Sequence, residues 1–86
     1  MEITSVEVKK TEIRENSKMR AWVSVVLDNC FKIRNIRILE GDRGLWLAMP
    51  SFERAPGEHK DVAHPLNQET RDMFETAIFA EYNKTE

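Results

Sequence analysis

The chain has a single cysteine in 86 residues, no apolar run of membrane-spanning length and no surplus of basic charge. A lone Cys30 cannot close an internal disulfide, and without a second, resolving cysteine it is not a redox pair. A reducing cytoplasm is the compartment this usage fits. No stretch approaches the ~18 apolar residues a spanning helix requires. Met1 to Val8 carries acid and alternates like a strand, where a secretory signal would be basic and then apolar, so nothing marks the chain for export. Thirteen Lys and Arg against fifteen Asp and Glu give a net charge of −2. Bulk charge therefore gives no reason to expect nucleic acid, and any such site has to be a local patch.

The length makes one domain, residues 1–86. A domain of this size buries roughly 60 to 65% of its unfolded surface, which leaves stability marginal and makes dimerisation useful to it.

Hydrophobic patterning then sets the elements. Ile3 to Lys10 places Val6 and Val8 at period two and reads as a strand, and the polar Thr11 to Lys18 that follows reads as a loop. From Arg20 the alternation is strong. Ala21, Val23, Val25 and Leu27 point one way, and Arg20, Trp22, Ser24 and Val26 point the other. Asp28-Asn29 tolerates positive φ, as a two-residue type I′ hairpin turn requires, and Phe31 and Ile33 resume the apolar face. The next apolar pair, Ile36 and Ile38, is shifted by one residue, so a bulge is expected near Arg34-Asn35.

Glu40 to Gly44 is a turn by composition, and Leu45 to Met49 reads as a short strand covered on both faces, hence central in its sheet. Gly41 and Gly44, with no Lys-Ser or Lys-Thr after them, are turn glycines and no phosphate cradle. Ser51 to Asp61, with Pro56, Gly57 and several charges, reads as an exposed mobile loop, and Val62 to Leu66 as an extended strap. Asn67 is a good N-cap, Glu69 suits the positive end of the helix dipole, and Met73, Phe74, Ala77, Ile78 and Tyr82 repeat at three and four. The expected class is α+β: a curled antiparallel sheet of four to five strands with one C-terminal helix on its apolar face. Trp22 and Val26 on the second face lack internal cover, and a partner subunit is the simplest one.

Two segments carry a resemblance. Gly44-Leu45-Trp46-Leu47-Ala48-Met49-Pro50-Ser51 and Lys60-Asp61-Val62-Ala63-His64-Pro65-Leu66-Asn67 resemble the signature of the stage V sporulation protein G family of bacterial septation proteins. The Met1-Glu2-Ile3-Thr4 start, Met19-Arg20-Ala21, Leu27-Asp28 and Glu81-Tyr82 extend the likeness over nearly the whole chain. The resemblance implies a homodimeric regulator, joined largely through sheet elements, that binds DNA and, in some members, RNA, with a link to cell division, septum formation and sporulation. It also implies nucleic-acid contact in the loop after Pro50, through a basic pair beyond the serine and a further basic residue before Asp61. Here Phe52-Glu53 stands in the place of that pair, with Arg54 and Lys60 remaining.

The candidate nucleic-acid contacts are therefore Arg54, Lys60 and Arg71, the last on the first turns of the helix, together with Lys32 and Arg34 on the sheet face that Trp22 shares. Trp22, Trp46 and Phe52 are the candidate partner or dimer contacts. Trp46 reads as core or interface, and Phe52 as an anchor packed on Trp46 or the helix. The alternative is a module that docks a division or regulatory protein through Phe52 and the acidic loop, without nucleic acid. His59, Asp61 and His64, with Glu58, are acceptable zinc ligand types. Their clustering in one short loop, with no second ligand pair elsewhere, argues against a metal site, and no cofactor or catalysis is expected.

Overall fold

The computed structural model describes residues 1–12 and 17–85. Within these, the chain runs β1 (Ile3–Lys10), β2 (Met19–Leu27), β3 (Phe31–Gly41), β4 (Gly44–Ala48), β5 (Ser51–Ala55), β6 (Glu58–Asp61) and α1 (Gln68–Lys84). The first four strands form an antiparallel sheet in the order β1-β2-β3-β4, and β5 and β6 form a separate antiparallel ribbon. The class is α+β, as the pattern requires. Of the loop expected over residues 11–18, residues 13–16 lie outside the described residues.

The alternation of β2 does what its period dictates: Ala21, Val23, Val25 and Leu27 are buried, while Trp22 faces away. The β2–β3 reversal is built on Asp28 (φ 51) and Asn29 (φ 56), with the Cys30 amide donating to the Leu27 carbonyl at 3.0 Å. Pairing resumes with Leu27 opposite Phe31, so three residues rather than two sit in the loop. The start of β1 is tied to this turn, since the Glu2 amide donates to Asp28 Oδ1 (2.9 Å) and Thr4 Oγ1 accepts from the Asn29 amide (3.0 Å).

Between Val25 opposite Ile33 and Val23 opposite Ile36, β3 holds one residue more than β2, and Asn35 there has φ 66. That bulge returns Ile36 and Ile38 to the buried face, where an unbroken strand would have turned them outward.

The helix closes this face. Asn67 caps it by accepting from the Thr70 amide at 2.8 Å, and Phe74 and Ile78 enter one cluster with Ala21, Val23, Val25, Leu27, Ile36, Ile38, Leu47 and Met49. Each such large apolar side chain contributes about 1.5–3 kcal/mol by leaving water. Tyr82 packs at the margin, with the Lys10 ammonium 4.5 Å from its ring centroid.

Three local readings need correction. β4 is an edge strand, not a central one, and its apolar run hides an open face that carries Trp46. Phe31 follows the core-face alternation but lies 62% exposed at the end of the hairpin, beyond the buried cluster. Ser51 to Asp61 is an ordered ribbon, not a loop. Ser51 pairs with Asp61, Phe52 with Lys60 and Glu53 with His59, Pro56-Gly57 supplies the turn with Gly57 at φ 80, and the Val62 amide closes the base on the Pro50 carbonyl at 2.7 Å. Charged side chains on both strands concealed its alternation.

Candidate functional site

Residues that alternate away from the helix form the open face of the sheet. One row crosses all four strands: Lys9 opposite Trp22, Trp22 opposite Arg37, and Arg37 opposite Ala48. Trp46 lies two residues from Ala48 on the same face, opposite Leu39. Gly41 makes room for it, because a Cβ there would stand 3.2 Å from the indole Nε1. Trp22 and Trp46 are 45% and 46% exposed, so neither is core.

Beside Trp22 a groove of ≈ 210 Å³ is lined by Glu7, Lys9, Ser24, Lys32, Arg34 and Asn35. Lys32 sits opposite Val26, and Arg34 adjoins the bulge. The open face thus carries Lys9, Lys32, Arg34 and Arg37 against Glu7, although the whole chain is acidic. Within the described residues none of these four cations makes an ion pair, whereas Arg20 and Arg71 do.

The ribbon adds a second surface. Ser51, Glu53, His59 and Asp61 line a cleft of ≈ 760 Å³ shared with Trp22, Trp46, Arg37 and Arg71. By strand alternation, Phe52 and its cross-strand partner Lys60 then point to the ribbon's other side. Phe52 is 51% exposed, which corrects the expectation that it anchors on Trp46 or the helix. Arg54 is the extra residue of the ribbon's bulge and is exposed.

The structure thus separates the residues read from the sequence. Lys32, Arg34 and Trp22 share the open sheet face, and Trp46 lies on that same face. Arg54, Lys60 and Phe52 belong to the ribbon. Arg71 reaches the cleft between these groups from the helix but is already engaged: its Nε is 3.2 Å from Glu75 and its Nη2 donates to the Leu47 carbonyl at 3.2 Å. Arg20 is likewise engaged, donating to the Ser17 and Met19 carbonyls and to Glu40 at 3.0 Å.

Lys9 and Arg37 were not read from the sequence, although both were within reach. Lys9 follows the inward Val8, and Arg37 stands between the inward Ile36 and Ile38, so each must face outward. His59 and Asp61 face the cleft, whereas His64 sits in the strap with its Nδ1 3.1 Å from the Pro65 carbonyl, so these three do not converge.

A family model described as SpoVG matches residues 1–84 of this chain. The chain is 49% identical over 82 residues to the "Putative septation protein SpoVG" of Caldicellulosiruptor bescii, covering 95% of this chain and 91% of that protein. Proteins of the same name resemble it in Thermoanaerobacter pseudethanolicus, at 49% identity over 98% of this chain and 89% of theirs, and in Borreliella afzelii, at 42% over 95% and 86%.

Proposed function

Because the chain belongs to the SpoVG family, whose matched members carry the name "Putative septation protein SpoVG", we propose that it is a homodimeric regulator of septation and sporulation that binds DNA or RNA. The observation that carries this reading is the open sheet face. Two half-exposed indoles stand among four cations that make no ion pair within the described residues. Lys9, Lys32, Arg34 and Arg37 meet phosphates while Trp22 and Trp46 offer π-faces to bases. Arg54, Lys60 and Phe52 extend the contact along the ribbon.

Self-packing of this face would set its cations against themselves, which disfavours it as the dimer seam. The two edges of the sheet, along β1 and β4, offer unpaired backbone groups instead and are the seam proposed here. Phosphate contacts follow a log-log salt slope of about 0.9 per contact on duplex DNA. Anisotropy of labelled duplex DNA, single-stranded DNA and RNA is expected to give affinities that fall with a slope of several units, and light scattering a mass of two chains. A flat salt response sinks the nucleic-acid reading.

One feature favours the second reading, a module that docks a division or regulatory protein. An apolar groove of ≈ 320 Å³ between Leu27, Ile33, Met49 and Phe74 opens beside Leu66, which is 89% exposed. Docking there would depend on Leu66 and only mildly on ionic strength.

A further inference from the structure

Resting on the nucleic-acid reading above, we propose that the cleft between the sheet and the ribbon receives an unpaired guanine nucleotide. Its two walls differ in chemistry. The sheet side presents Trp22 and Trp46 with Arg37 between their strands, and the ribbon side presents Glu53 and Asp61. At ≈ 760 Å³ the space is of the size that holds a nucleotide and its immediate neighbours.

The carboxylates select the base. On a surface that grips phosphates, an acid repels the backbone. Glu53 and Asp61 therefore belong with a part of the ligand that donates hydrogen bonds. An ionised carboxylate is an acceptor only. Guanine alone among the common bases presents two adjacent donors, N1–H and the N2 amino group, on its pairing edge, and one carboxylate accepts both. Adenine and cytosine each present a single amino group there, and uracil a single imide N–H.

Neither Glu53 nor Asp61 is spent in an ion pair among the described residues. Among the described residues Glu53 Oε1 accepts from the Gly57 amide alone, at 3.3 Å, so both of its oxygens keep lone pairs free. The donor edge is exposed only in a base that is not paired, and stacking on an indole requires that base to be splayed out. The sugar and phosphate then leave the cleft toward Arg37 and the Lys32–Arg34 groove, where the cations stand.

The test uses the full chain and its own fluorescence, since Trp22 and Trp46 are the only tryptophans and both line the cleft. The oligoribonucleotides UUGUU, UUAUU and UUUUU and the mononucleotides GMP and AMP are titrated against the wild type and the E53Q/D61N variant. Both substitutions are isosteric and exposed, and a thermal melt checks the fold.

UUGUU is expected to bind about tenfold more tightly than the other two oligonucleotides, with deeper quenching, consistent with one good bidentate base contact. The variant is expected to lose that preference, because an amide turns a donor toward guanine's donors. A guanine preference already present with GMP over AMP assigns the site to the free nucleotide, and one confined to the oligonucleotide assigns it to a strand. Equal, salt-sensitive affinity for all three oligonucleotides overturns the guanine site and leaves the nucleic-acid reading standing. A guanine preference that survives in the variant overturns the role of the carboxylates. No binding by any probe overturns both.

Discussion

Replacing Lys32, Arg34 and Arg37 together with alanine is expected to lower the log-log salt slope by about 2.7 on duplex DNA, or by about 2 on a single strand, for each subunit in contact with it. A hydrogen bond to a charged group contributes about 1.5–3 kcal/mol, so affinity at low salt should fall by about a hundredfold or more. All three cations stand on the open face and none makes an ion pair within the described residues, so the fold has little reason to respond. Alanine at Arg54 and Lys60 removes two ribbon contacts and should lower the slope by a smaller amount. Alanine at Arg71 mixes effects, because that guanidinium also bonds Glu75 and the Leu47 carbonyl. Anisotropy across a salt series separates the three cases. An unchanged slope in the triple variant would move the phosphate contacts off the sheet.

Phe74→Ala is the largest expected effect on the fold. The ring is buried at the point where the helix meets β2, β3 and Met49, and emptying such a site costs about 3–5 kcal/mol. Domains this small sit toward the low end of the usual 5–15 kcal/mol of stability, and each kcal/mol shifts the melting midpoint by roughly 4–8 °C. A fall of roughly 15 °C or more is expected in a melt followed by near-ultraviolet circular dichroism. Leu66→Ala, at 89% exposed, should stay within about 0.5 kcal/mol of the parent and serves as the control. Equal melting of the two variants would contradict the packing described.

Where burial imposes a period, the sequence was readable. The shift between the Phe31-Ile33 and Ile36-Ile38 pairs located the bulge at Asn35, because a core face tolerates no slip without an extra residue. Asn67 and the Phe74-Ile78 spacing located the helix for the same reason, a cap and a buried stripe. The ribbon was not readable. Its strands bury little on either side, so charge and Pro56-Gly57 dominated the pattern and it resembled a loop. The continuous apolar run of β4 suggested two covered faces because an indole on an open face looks, in sequence, like an indole in a core.

The site was legible in part. Lys32, Arg34 and Trp22 followed from alternation, and Lys9 and Arg37 were open to the same reasoning. What no pattern gave was that the ribbon folds its Glu53-Asp61 side over the sheet and turns Phe52-Lys60 away, since that depends on how two sheets meet. The engagement of Arg71 was partly visible, as Glu75 stands four residues on along the helix.

If nucleic acid lies on the open sheet face as proposed, the two indole N–H resonances report on it directly, one from Trp22 and one from Trp46. A proton-nitrogen correlation spectrum of the labelled protein, titrated with a short single-stranded oligonucleotide at low salt, is expected to move both indole peaks together with the amides of Lys32, Arg34 and Arg37. Unmoved indoles, with shifts confined to the helix or to the Phe31 and Leu66 end, would rule out the sheet face as the binding surface.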